Sequence, residues 1–350
     1  MITSTCVRAR RPSCRAAQKA QPANDCRLNV FLTVDVETWP CTPDWRSQNL
    51  TQDIERDIRG VTDEGEFGIP FQIAVLNGCG LKAAFFVESL FASVVGVRPL
   101  RGIVDLIQRR AQEVQLHAHP EWLRYMAAPP VPDRCSEYFK DYSLSEQTAL
   151  VGEALRNLRA AGAGPLRAFR AGNYGANFDT LRAVARNGLL FETSHNHCYR
   201  RLGCAMPTPG PFLQPRKLFG AYEFPITYFR DWPGHCRHLQ LCACSSEELE
   251  AMLVQAWRQG WYAVVLVSHC FELLKHRKDP RRRQTPDWIV IRRFERLCRF
   301  LAAHDDQFVT RGFNELDETA VPYREEVSPL RSSLRNTGGR LLEQLARRVS

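Results

Sequence analysis

Between residues 28 and 316, short apolar runs with strand character alternate with amphipathic helical stretches, and this alternation restricts the chain to a parallel-sheet α/β architecture. The expected strands are Leu28–Val34, Lys82–Val87, Glu113–Leu116, Arg167–Arg170, Leu189–Thr193, Glu223–Ile226, Val264–Ser268 and Gln307–Thr310. Helices are expected over Pro70–Asn77, Arg101–Arg110, Ser145–Ala161, Phe178–Asn187, Ser246–Gln259 and Asp287–Ala303. Four of these stretches run into Gly78, Gly162, Gly188 or Gly260, because glycine most easily takes the left-handed conformation past a helix end. Ser246 reads as a cap, with Glu247 and Glu248 favoured by the positive helix N-terminus. The pattern leaves open whether the sheet is flat or closed into a barrel.

At 350 residues and 44% hydrophobic content the chain can bury a sizeable core. No run approaches the roughly 18 apolar residues of a membrane span, so no transmembrane helix is expected. Residues 1–27 carry Arg8, Arg10, Arg11, Arg15, Lys19 and Arg27 against Asp25, without the apolar segment of a secretory signal. They read as a disordered basic tail, and the chain as cytoplasmic. Thirteen cysteines, odd in number and scattered through helices and strands, fit buried thiols better than a disulfide framework. Cys242 and Cys244 beside Cys236 and His238 lack zinc-finger spacing. The +9 charge gathers in the N-terminal tail, in Lys275 to Arg283 and in Arg331 to Arg348. No aromatic interleaving accompanies it, so solvated arginines are expected and nucleic acid is not. Two long loops, Thr38 to Gly68 and Met126 to Tyr142, are placed to shape a site. Residues 28–316 read as one domain, and 317–350 as a polar linker with a short basic helix carrying Leu341, Leu342 and Leu345.

Four segments put titratable groups just beyond a buried strand, where parallel α/β folds build their sites. In Thr33-Val34-Asp35-Val36-Glu37 the alternation of an extended chain projects both carboxylates to one side, an arrangement that asks for a cation or proton between them. His117 and His119, followed by Pro120, Glu121 and Trp122, offer imidazole and carboxylate ligands for zinc or another divalent metal. Arg170 leaves an apolar run into Ala171-Gly172-Asn173-Tyr174-Gly175, where its planar fork can orient a carboxylate. His269 surfaces after Val264-Val265-Leu266-Val267-Ser268 and can titrate near neutrality as an acid. Singly, each has a structural explanation: a loop cap, a satisfied polar residue, a surface turn, a core histidine. Their coincidence at strand ends points to one pocket.

In this order the motifs resemble the polysaccharide deacetylase family, also called the NodB-homology or carbohydrate esterase 4 group, over roughly residues 28 to 315. Asp35-Val36-Glu37 is similar to a variant of the family's first motif, which implies Asp35 as general base and Glu37 as metal ligand. Leu81-Lys82-Ala83-Ala84-Phe85-Phe86-Val87 is similar to the family's second, core strand. The His-x-x-x-His motif is altered here: His117 holds the first position, and the remaining ligand is His119, with Glu121 as the alternative. Phe169-Arg170-Ala171-Gly172 is similar to the Arg motif that orients the base, and Phe191-Glu192-Thr193-Ser194 stands where the family lines its pocket. Leu266-Val267-Ser268-His269 resembles the last motif, which implies Leu266 against the acetyl group and His269 as general acid.

The resemblance implies a distorted parallel (β/α) barrel and a metal-dependent hydrolase, with zinc as the expected cation, that removes acetyl groups from N-acetylated sugars of a polysaccharide or its precursor. Trp122 and Tyr174 are expected beside Leu266 in the substrate pocket, a carbohydrate as the partner, and a polysaccharide biosynthesis system as the setting. Two other readings compete: hydrolysis of a non-sugar amide or ureide in a narrow closed pocket, and a non-catalytic carbohydrate-binding member of an assembly system.

Overall fold

The computed structural model describes residues 27–40, 45–48, 50–275, 284–323 and 327–349. The N-terminal tail and most of the basic run to Arg283 lie outside the described residues. The main sheet has nine strands. Its path runs Ala263–His269, Leu28–Val36, Ala83–Glu88, Glu113–Ala118, Ala168–Ala171, Phe191–Glu192, Ala221–Glu223 and Arg216–Leu218, with Phe308–Thr310 beside the lower half of Leu28–Val36. Every pairing is parallel except the last, where Arg216–Leu218 runs antiparallel to Ala221–Glu223.

Seven of the eight expected strands lie in this sheet, and of the eighth, Glu223–Ile226, only Glu223 does, as the last residue of Ala221–Glu223. The free edge of Ala263–His269 is met by irregular backbone: Thr227 N donates to Val265 O (3.2 Å), Leu241 N to Val267 O (3.0 Å), and Val267 N to Leu239 O (3.0 Å). The sheet therefore curls into a distorted barrel, closed on one side by loop rather than strand.

Strand alternation divides the core in two. Val30, Leu32 and Val34 face the helical layer, while Phe31 faces the barrel interior with Phe86, Phe191, Phe224 and Phe313. Ring centroids of Phe31 lie 4.9 Å from Phe313 and 5.3 Å from Phe224, at separations where aromatic pairs add about 0.5–1.5 kcal/mol each. This aromatic plug fills the interior below the strand ends and confines polar groups to the rim. Leu266 shares the outward side of its strand with Val264 and belongs to the helix-facing core, so it does not line the pocket as the resemblance implied.

The six expected helices are Ile69–Gly78, Val97–Gln108, Leu144–Ala160, Phe178–Arg186, Ser246–Arg258 and Trp288–Ala303. The cap expected at Ser246 is one residue earlier: Ser245 accepts from Glu248 N while the Glu248 side chain accepts from Ser245 N, a reciprocal capping box. The stretch Thr38 to Gly68 is not one loop. It holds helical turns over Thr51–Ile54 and Glu55–Arg59 and a two-residue hairpin, tied by Arg56 to Asp53 and Asp57. Two further strands, Tyr228–Trp232 and His235–His238, form an unexpected hairpin. The C-terminal helix spans Leu334–Val349 and leaves Leu341, Leu342 and Leu345 exposed. Among the described residues the cysteines are free thiols, and no helix is long and apolar enough to cross a membrane.

Candidate active site

Strand register brings the four sequence segments to one level of the barrel. Asp35 is level with His269 on one side and Phe86 on the other, and Glu88, His117 and Arg170 form the next row. Residues distant in sequence thus share one rim because parallel neighbours stagger evenly.

Arg170 is completely buried and spread over the Phe86 ring, its guanidinium carbon 4.5 Å from the centroid. Nη1 donates to Asp35 Oδ1 (2.5 Å), Nη2 to Thr33 Oγ1 (2.9 Å) and Nε to Thr193 O (3.0 Å). The fork holds Asp35 by one oxygen. The other, Oδ2, stands 4.0 Å from His269 Nε2.

His269 is gripped from behind. Its Nδ1 lies 2.8 Å from Glu272 Oε1, and Glu272 also accepts from Cys242 N (3.1 Å) and the Gln240 amide. Burial alone would lower the His269 pKa, but the hydrogen bond and charge of Glu272, with Glu37 and Asp35, outweigh it and lift it to about 9. At neutral pH the ring is an imidazolium whose Nε2 proton faces Asp35 and the cavity.

Glu37, His117 and His119 form a buried cluster beside this pair. Glu37 Oε1 lies 3.0 Å from His117 Nε2 and 3.2 Å from His119 Nε2, and the two Nε2 atoms are 3.1 Å apart. His117 Nδ1 faces the Arg170 carbonyl (2.8 Å), which only accepts, so Nδ1 carries a hydrogen and Nε2 is the atom turned inward. Glu121 Oε2, 3.2 Å from His119 Nδ1, fixes that ring the same way. Three electron pairs converging on one point repel unless a proton or cation sits among them. Without a metal a proton takes that place. Burial opposes charge on His119, yet Glu37 and Glu121 outweigh it and hold its pKa well above the usual value. Burial likewise disfavours ionised Glu37, but His119 and His117 hold its carboxyl well below the usual range.

The loop after Arg170 is shaped for this cluster. A Cβ on Gly172 would lie 2.5 Å from the His119 ring, so only glycine lets the loop pass so close. Asn173 and Tyr174 both take a positive φ of 53°, which costs roughly 1–3 kcal/mol for each such residue and turns Tyr174 into the cavity. That cavity holds about 240 Å³ and is lined by Asp35, Glu37, Ala171, Asn173, Tyr174, Tyr199, Gln240, His269 and Phe271.

No protein-family model matches the sequence, and no curated protein is similar to it. Among solved structures, one from Mycobacterium smegmatis, provisionally described as a polysaccharide deacetylase, superposes with a TM-score of 0.51 at 17% identity, covering 88% of this chain and 96% of its own. The chain has the polysaccharide deacetylase fold. Weaker likenesses include a family 4 carbohydrate esterase from Streptomyces lividans (TM-score 0.37, 13% identity, 79% of this chain and 90% of that one). Another is a CE4 family pseudoenzyme from Bacillus anthracis (TM-score 0.40, 10% identity, 88% and 71%).

On this polysaccharide deacetylase fold, Asp35, Glu37, His117, His119, Arg170, Tyr174 and His269 all meet at one site. Glu121 stands on the far nitrogen of His119 and is absent from the converging cluster, so its geometry is that of an orienting group rather than the alternative ligand. Trp122 is fully buried, stacked on Trp39 at 5.5 Å, and it is Trp39 whose edge meets His119. Trp122 is thus a core residue, not a pocket one. Among the described residues, Cys236, His238, Cys242 and Cys244 form no metal-competent group. Sequence reasoning missed Glu272, Gln240, Tyr199 and Glu88. Glu88 is buried beside His119 and caps the amides of Leu90 (2.9 Å) and Phe91 (3.2 Å). Only Glu272 left a signal, an acid three residues after His269.

Proposed function

We propose that this chain is a metal-dependent hydrolase that removes acetyl groups from N-acetylated sugars of a polysaccharide or its precursor. The observation that carries the reading is the opposition of two prepared groups across one small cavity: Asp35 held by Arg170, and His269 held by Glu272, with three convergent ligand atoms alongside. The donor set fits a divalent cation, and two imidazoles with one carboxylate suit zinc. Ligands about 2.1 Å from a tetrahedral zinc are spaced by roughly 3.4 Å, near the 3.0–3.2 Å found here. Glu37, His117 and His119 would hold the cation, which when bound supplies Lewis acidity toward the acetyl carbonyl.

The remaining chemistry belongs to the chain. Asp35 Oδ2 accepts the proton of the attacking water, while Arg170 keeps Oδ1 occupied and the carboxylate in place. His269 Nε2 delivers its proton to the nitrogen of the leaving amine as the C–N bond breaks, and Glu272 stabilises the imidazolium until then. Tyr174, Tyr199 and Phe271 present ring faces and edges to the sugar.

The direct test pairs elemental analysis with an acetate-release assay on N-acetylated sugars. Wild type is expected to carry one cation per chain. In His117→Ala, binding should weaken by more than about a hundredfold, with acetate release lost in step. Full acetate release from a protein without metal would overturn the mechanism.

Proton loading at His269 gives a second test. A raised pKa means that the acid form is complete below neutrality and is lost as pH climbs through about 9. Imidazole NMR on the chelator-treated chain should show this titration, and Glu272→Gln should move it to lower pH. An unmoved titration would remove Glu272 from its role.

The size of the cavity favours a second reading to be kept beside the first. About 240 Å³ is below the roughly 300–1,000 Å³ of common ligand pockets, which suits a single sugar unit or a small non-sugar amide or ureide better than a long chain. Release of ammonia or amine from small amides, in the absence of acetate release from sugars, would select the non-sugar hydrolase.

A further inference from the structure

A second cavity of about 850 Å³ opens beside the first, and its wall is cationic. Arg200, Arg201 and Arg230 line it, no carboxylate does, and none of the three arginines forms an ion pair among the described residues. The neighbouring acid, Asp231, is already engaged elsewhere by Arg237 and His235. Three guanidinium groups around one cleft, with no carboxylate among its lining residues, raise the local concentration of anions.

Two histidines strengthen this reading. His195 lines the cleft at 3% exposure, and its Nδ1 is buried without a hydrogen-bond partner. Burial and the neighbouring His197 push the His195 pKa down to about 4, so at neutral pH it is an uncharged ring able to present one N–H. His197 lies flat on Tyr228 (4.2 Å, 7°). Burial, with the charges of Arg200 and Arg230, lowers its pKa, and all three residues line the cleft.

Consecutive residues line the two cavities. Tyr199 lines the catalytic cavity and Arg200 the cationic cleft, and consecutive Cα atoms are only about 3.8 Å apart.

We infer that the cleft at Arg200, Arg201 and Arg230 binds a phosphoryl group carried by the substrate itself, so that the chain acts on a phosphate- or diphosphate-bearing N-acetylated sugar. The inference rests on the deacetylase reading and narrows its substrate class. Guanidinium forks match phosphate oxygens two at a time, and three of them around one cleft exceed what a neutral glycan could use.

The test uses the full chain, with bound metal measured before and after each titration. Calorimetry compares N-acetylglucosamine 1-phosphate, N-acetylglucosamine and inorganic phosphate on wild type, Arg200→Ala/Arg230→Ala and the matching double lysine variant. The acetate-release assay gives KM and kcat for the two sugars. Wild type should bind the phosphorylated sugar at least about tenfold more tightly than the neutral one, since one charge-assisted contact of 1.4 kcal/mol is worth that factor. The alanine variant should abolish the difference, chiefly through KM, and the lysine variant should restore part of it. Both arginines are exposed, and circular dichroism checks that the variants fold. Equal binding of the two sugars by wild type overturns the inference. So does a cleft that binds inorganic phosphate without any advantage for the sugar phosphate. Acetate release confined to neutral sugars would overturn it while leaving the deacetylase standing. Arginine-dependent binding of the sugar phosphate without acetate release from any sugar would instead overturn the deacetylase and leave the cleft.

Discussion

Asp35→Asn is expected to lower kcat by about 10²–10⁴, the range for loss of a positioned general base, while the bound metal stays near the wild-type amount. The separation follows from geometry. Asp35 reaches the cavity through Oδ2, whereas the convergent atoms of Glu37, His117 and His119 form a complete cluster without it. Asparagine keeps the size of the side chain and an oxygen for Arg170, so circular dichroism and elemental analysis should read close to wild type as acetate release collapses. Metal lost together with activity would reassign Asp35 as a ligand, a role its presence in a second group with Glu37 and His269 makes worth testing.

Arg170→Met is expected to lower the unfolding free energy by about 3–5 kcal/mol, the cost of leaving a buried charge without its partner. Arg170 has no exposed surface and Asp35 is 2% exposed, so a charge left alone on either is poorly solvated. Urea denaturation followed by fluorescence measures the loss. The double variant Arg170→Met/Asp35→Leu should recover much of it, because two apolar side chains over Phe86 need no counter-charge. Two additive losses in that cycle would mean that the pair is not the source of the destabilisation.

Much of this architecture is legible in the chain because parallel strands buried on both faces leave long apolar runs, and because the groups beyond them stand out against that background. The nine-residue strand Leu28–Val36 and the run before His269 are of this kind. What escapes is held by charge or by contact at a distance. Arg216-Lys217-Leu218 is too short and polar to read as a strand, yet it pairs antiparallel at the sheet edge. The helical turns within Thr51 to Arg59 lack apolar periodicity and are instead braced by Arg56 and Arg59 against nearby acids. Trp122 follows the histidine segment so closely that it reads as a pocket residue, but the short helical turn Pro120–Tyr125 rotates it into the core. Leu266 is misjudged for a related reason: alternation along a strand sends each side chain opposite to its neighbours, and resemblance to a motif does not state which face a position serves.

Glu37 belongs to both groups of convergent side chains, those with the histidines and those with Asp35 and His269. Its negative charge is also among the influences that keep a proton on His269. A cation neutralising Glu37 weakens that hold, and by thermodynamic reciprocity a protonated His269 weakens the attraction for the cation. Loading one partner therefore taxes the other, and the cation affinity of this site is expected to rise with pH across the titration of His269.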